Sequence, residues 1–260
     1  MYIKPYDELT IQDNFIFQKV MRNKRICKQT IERLLDIDIK DISYPEEEKS
    51  INVRLDSKSI RLDVYVNDDK GTVFNIEMQT TKDMDELVKI TRYYQGLIDI
   101  DNIEKGQNYS ALHDTYIIFI CTFGVFTGKR HKYTFRNLCI EDNEILLNDG
   151  TTKLFLSTKG EADDVSKPLK MFLDYVDGKK PEDALMQEID HEVDTVKHCD
   201  EWRRDYMTLA LEMDKKWREG KAEGKIEAIR NAIKDGLTTL AAVKKSGRYT
   251  EEEIAAIAAP

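Results

Sequence analysis

Cysteine is scarce in this chain, and the four it has do not pair by spacing: Cys27, Cys121, Cys139 and Cys199 lie far apart, with no CxxC and no Cys/His metal pattern. That excludes a disulfide-stapled scaffold and a zinc finger or ribbon, and it points to free thiols in a reducing compartment. Long apolar runs are missing as well. The longest, "YIIFICTFGVF" from Tyr116 to Phe126, is too short to span a bilayer, and "MYIKPYDELTIQDN" holds no apolar leader segment. A soluble, cytoplasmic protein without a membrane partner is the expectation. No Gly-rich phosphate loop, HExxH or GxSxG pattern occurs, and His113 and His131 have no partner at nucleophile or metal spacing.

Positive charge is also short, with 40 Lys and Arg against 49 Asp and Glu and a net charge of −9. A protein that embraces a polyanion needs bases, so the distribution matters more than the total. Residues 1–140 carry 21 bases and 22 acids, residues 141–196 carry 6 and 15, and residues 201–250 carry 12 and 8. The acidity is concentrated in the middle segment, which leaves nucleic acid open as a substrate. With 260 residues the chain has room for one sizeable domain with an appendage, or for two small ones.

Ile11, Phe15, Ile16 and Val20, then Ile26, Thr30, Ile31, Leu34 and Leu35, recur at helical spacing and predict a helical start. After the polar "DISYPEEEKS" come three β-favouring runs, Ile51 to Leu55, Ile60 to Val66 and Thr72 to Thr80, the last two joined by the turn-forming "NDDKG". Leu87, Ile90, Tyr94, Leu97 and Ile98 return to a helical period, and "TYIIFICTF" reads as a strand covered on both faces. "HKYTFRNLCI" and "TKLFLST" are further strands, and "KPLKMFLDYV" opens a helical remainder. The order predicts an α/β core around a mixed sheet. Beyond Asp200 the texture turns charged and helical, as an exposed or self-associating helix would, and Thr250 with Glu253 forms a capping-box pattern before the last helix.

The chemistry concentrates in "RLDVYVNDDKGTVFNIEMQTT", from Arg61 to Thr81. Alternation sets Arg61, Asp63 and Tyr65 on one face of their run, and Val73, Asn75, Glu77 and Gln79 on one face of the next. Adjacent antiparallel strands then bring Asp63 beside Glu77 and Gln79. Two carboxylates at that range raise each other's pKa unless a cation sits between them, and hard oxygen ligands suit Mg²⁺ or Mn²⁺. A hairpin with one solvated face explains the same residues without any metal, and pattern alone leaves both readings open.

"RLDVYVNDDKGTVFNIEMQ", followed by "RYYQGLI", "KGQNYSAL" and "YIIFICTF", resembles the PD-(D/E)XK nuclease-like putative transposases, also called recombination-promoting nucleases; the tail "EGKAEGK" is similar to theirs. The resemblance runs from about Asp7 to Val176. It implies an α/β restriction-endonuclease-like core in which helices flank a mixed sheet, Mg²⁺ (or Mn²⁺) as cofactor, and DNA endonuclease cleavage as activity. Asp63 and Glu77 fall on its metal-binding acids, Gln79 on the position that is Lys in the wider superfamily, and Asp13 on an acid of the first helix that often completes such a site. Asp13 reads equally as an acid that a helix N-terminus favours. On this basis residues 1–180 form the nuclease-like domain and residues 181–260 a charged helical region through which the chain self-associates. Arg61 and Arg92 are candidate DNA contacts. The alternative is a nuclease-fold module with little turnover that binds nucleic acid or a partner protein.

Overall fold

The computed structural model of the chain describes residues 2–44, 50–51 and 60–259, and for residues 50, 51, 60 and 61 the backbone alone. Ile16 and Phe17 are buried together with Val20 one helical turn on, and α1 (Asn14–Val20) forms around them. Helix α2 (Lys24–Leu35) starts where the Asn23 side chain accepts the Ile26 N–H at 3.4 Å, and it buries Ile26, Cys27, Ile31 and Leu34. Burial pushes the Cys27 and Cys121 thiols up to about 12, so both act as small hydrophobes.

Strand β1 (Ile42–Ser43) is followed by a short ladder of β2 (Ser50–Ile51) with β3 (Ile60–Arg61). Residues 52–55 of the run expected from Ile51 to Leu55 lie outside the described residues. The run from Ile60 to Val66 is not one strand. The chain leaves β3 after Arg61, bends at Asp63, and only then enters β4 (Val64–Asp68). Strand β4 pairs antiparallel with β5 (Val73–Gln79), with Val64 opposite Ile76 and Tyr65 opposite Asn75. The turn between them takes the expected chemistry. The Asp68 carboxylate accepts the Lys70 and Thr72 N–H groups at 2.9 and 2.8 Å, and Gly71 sits at φ +86°, where a Cβ would lie 2.6 Å from the His113 ring.

Asp83 caps α3 (Met84–Asn102) by accepting the Glu86 N–H at 3.0 Å. This helix links β5 to its parallel neighbour β6 (Thr115–Cys121), as a parallel pair requires. After β7 (Lys132–Phe135), strand β8 (Thr151–Ser157) pairs parallel to β6 and antiparallel to β7. The six-stranded mixed sheet therefore runs β1-β4-β5-β6-β8-β7. On one face Leu87, Leu97 and Ile98 of α3 cover Tyr65, Val73, Ile117, Phe119 and Phe155, with Phe119 stacked on Phe155 at 5.4 Å. Val66, Phe74, Ile76, Met78, Ile118 and Ile120 alternate to the other face and are equally buried, and α1 packs against β5 there. Helices α4 (Lys167–Val176) and α5 (Ala184–Lys197) pack with α1 and α2.

Asp7–Cys199 make one compact unit, and Met1–Tyr6 with Asp200–Pro260 make another. The second is helical: α6 (Asp200–Lys234), 35 residues with none buried, then α7 (Leu240–Lys245) and α8 (Glu251–Ala258). The Thr250–Glu253 capping box forms as expected. Ion pairs four residues apart line α6. Lys215 meets Glu219 at 3.9 Å, Arg218 meets Asp214, and Lys225 crosses to Glu253 of α8 at 2.9 Å. No helix among the described residues is long and apolar enough to cross a membrane.

Candidate metal centre

Continuing the β4–β5 register by one residue sets Asp63 opposite Glu77, where β4 has already bent away from its partner. The bend leaves β5 with backbone groups that the ladder no longer serves. Asp63 serves them instead: its carboxylate accepts the Met78 N–H at 3.1 Å, and its own N–H donates to Glu77 Oε1 at 3.3 Å. Helix α1 fixes the other carboxylate oxygen. Gln18 Nε2 donates to Asp63 Oδ1 at 2.7 Å, and Asn14, one turn earlier, approaches it at 3.5 Å.

Glu77 is 3% exposed. Burial, and then the facing Asp63 carboxylate, push its carboxyl well above the ordinary carboxylate range, while the Asp63 N–H and the Asn75 amide oppose the rise. The solvated-face reading of the hairpin therefore fails here. Glu77 and Asn75 lie under α3 rather than in water, and an acid in that position needs a proton or a cation.

Gln79 follows on the same face of β5, half-buried at the strand end, and its side-chain amide makes no hydrogen bond among the described residues. Asp13 stands at the N-cap of α1 and accepts the Thr10 N–H at 2.7 Å and the Thr10 hydroxyl at 3.2 Å, so it is Asn14 and Gln18 that reach Asp63 from this helix. Arg92 and Tyr93 are exposed on α3, and the side chain of Arg61 lies outside the described residues. His113 lies against Gly71, and the buried His131 ring bonds the Ser157 carbonyl at 3.0 Å, so both serve the fold. Among the described residues no group of three or more His, Cys, Asp or Glu side chains gathers as a metal cluster would.

Sequence reasoning gave no site role to three neighbours of the acid pair, Asn14, Gln18 and Asn75, and read a fourth, Tyr94, as a core position of its helix. Asn75 is two residues before Glu77, and parity alone sets it on the same face. Tyr94 stacks on Phe119, the β6 partner of Glu77, with ring centroids 6.4 Å apart. Burial and then the Glu77 and Asp63 charges hold its phenol above the ordinary tyrosine range. Only the Asn14–Gln18 spacing, four apart on one helix, was a signal for the amide pair.

A mixed sheet flanked by helices, with two acids facing each other where a hairpin opens, defines a nuclease-like α/β fold. The family model described as PD-(D/E)XK nuclease family transposase matches residues 14–158, more than half of the chain, and the chain belongs to that family. The match takes in Asp63, Glu77, Gln79 and Arg92 and begins one residue after Asp13. No curated protein and no solved structure matches the chain.

Proposed function

We propose that the protein is a metal-dependent DNA endonuclease that hydrolyses phosphodiester bonds, with Asp63 and Glu77 holding Mg²⁺ or Mn²⁺. The observation that carries this reading is the acid pair of buried Glu77 and half-buried Asp63, in which burial and the neighbouring carboxylate penalise the charge on Glu77. A divalent ion relieves that penalty. The donors fit such an ion: both are hard carboxylate oxygens, with no thiol or imidazole beside them among the described residues, and Mg²⁺ is commonly held by one or two carboxylates with water and phosphate oxygens filling the rest.

When bound, the ion supplies charge neutralisation at the phosphodiester and a more acidic water. The chain's own groups do the rest. Gln18 and Asn14 hold the Asp63 carboxylate by one oxygen and keep it aimed at Glu77. Helix α3 keeps bulk water from Glu77, and Gln79, at the open end of β5 with its amide unengaged among the described residues, orients the attacking water by hydrogen bonding. Asp13 assists from the start of α1. Arg61 and Arg92 meet backbone phosphates, and the charged helices α6 to α8 serve self-association.

One residue favours a second reading. Gln79 carries no charge where the superfamily pattern has Lys, so transition-state charge is less well offset, as in a nuclease-fold module that binds nucleic acid with little turnover. Incubating supercoiled plasmid with the wild type and Asp63→Ala, with and without Mg²⁺ or Mn²⁺, decides between them. Nicking that needs the metal and disappears in Asp63→Ala is the expected result. Metal-independent binding without cleavage replaces the enzyme with the binding module.

A further inference from the structure

Buried polar atoms in folded proteins nearly always have a partner, so the exceptions are informative. Asn75 is fully buried in the middle of β5, and among the described residues neither its Nδ2 nor its Oδ1 has a hydrogen-bond partner. Thr30, Asn67 and Gln95 each leave one buried atom unpaired, but Asn75 is the one described side chain with both amide atoms orphaned. Its place is specific. It shares a face with Glu77 two residues on, has Tyr65 opposite it on β4 and Ile117 beside it on β6, and lies under α3. The Tyr65 hydroxyl is engaged elsewhere, accepting from Asn102 Nδ2 at 2.8 Å. The Asn75 amide lies near enough to Glu77 to favour its charged form, yet short of hydrogen-bond geometry.

A fully desolvated amide with nothing to bond is a poor choice for a strand interior, where Leu or Val of similar volume would pack without that penalty. Its presence is explained if something polar arrives between it and Glu77. We propose that Asn75 is a positioning residue of the metal centre, whose amide hydrogen-bonds a water of the hydrated divalent cation held at Glu77. The inference rests on the metal-dependent reading above. An amide suits the role because it offers two donors and an acceptor without adding a third negative charge to the acid pair. Partners of this outer kind orient the ligand, and their loss weakens metal binding without removing a ligand.

The test compares wild type, Asn75→Leu, Asn75→Ala and Asn75→Ser by thermal melts in metal-free buffer and by calorimetric titration with Mn²⁺. Leu removes the orphaned amide at similar volume, so its melting temperature should hold or rise by about 2–4 °C, while its Mn²⁺ affinity falls roughly 10–100-fold. Ser and Ala differ by one hydroxyl that can hold a water, so Ser should bind Mn²⁺ more tightly than Ala, and this pair decides the matter if the Leu variant does not fold. Wild-type affinity in Asn75→Leu, equal affinities for Ser and Ala, or a folded Leu variant that melts several degrees lower would each overturn the role of Asn75 while leaving the metal site standing. A wild type that neither binds Mn²⁺ nor cleaves DNA removes the metal reading itself, and the inference with it.

Discussion

Replacing Glu77 by Gln separates what the fold needs from what the site needs. The carboxyl is 3% exposed, and burial together with Asp63 raises its pKa. Between the unfolded carboxyl value, about 4.3, and the raised folded value, the native state holds a proton that the unfolded chain releases, so stability falls as pH climbs through that window. Gln is isosteric, keeps a carbonyl oxygen to accept the Asp63 N–H, now at 3.3 Å, and has no charge to desolvate. Each factor of ten by which the site weakens ionisation is worth about 1.4 kcal/mol, which in a chain of this size is about 2–4 °C of melting temperature. In metal-free buffer the two proteins should therefore melt together near pH 4, and Glu77→Gln should melt progressively higher towards pH 8. Saturating Mn²⁺ should reverse the order, since ligand at 100 times its Kd stabilises only the protein that binds it, by about 2.7 kcal/mol. Scanning calorimetry from pH 4 to 8, with and without Mn²⁺, reads both effects. A variant that melts lower than wild type at pH 8 without metal would refute the reasoning, because Glu77 would then hold the fold together as an anion.

The Gln18 amide gives Asp63 a 2.7 Å bond to a charged oxygen, so Gln18→Ala should lose about 1.5–3 kcal/mol in urea unfolding and lower nicking of plasmid; unchanged stability would mean that the bond is not made in solution. Gly71→Ala places a Cβ at φ +86° and 2.6 Å from the His113 ring, and should destabilise the hairpin by at least about 1–2 kcal/mol, with equilibrium denaturation as the check. For DNA binding, Arg61→Ala and Arg92→Ala should each weaken affinity and remove about one unit from the salt dependence. Neutralising Arg203, Arg204, Lys215, Lys216 and Arg218 together should change affinity little, and gel shifts across salt that give the reverse order would make the helical tail the DNA-binding element.

What was legible in the amino-acid order is local. Period-2 alternation and "NDDKG" foretell β4, β5 and their turn because side-chain parity and the Asp68 and Gly71 chemistry act within a few residues. The same holds for α3, for the β-branched run of β6, and for the Thr250–Glu253 cap. Parity also paired Asp63 with Glu77 across the hairpin, and family resemblance supplied the chemistry proposed for them. Three things waited for the tertiary structure. Strand β4 stops short of Asp63, because the Asp63 carboxylate, held by Gln18 from 45 residues away, takes the Met78 N–H that a continuing strand would have served. The face bearing Asn75 and Glu77 could as well have been wet, and it is dry only because α3 folds over it. The orphaned amide of Asn75 exists only in that packed state, since an unfolded chain bonds every amide to water; no pattern of residue types along the chain records which buried group will be left without a partner.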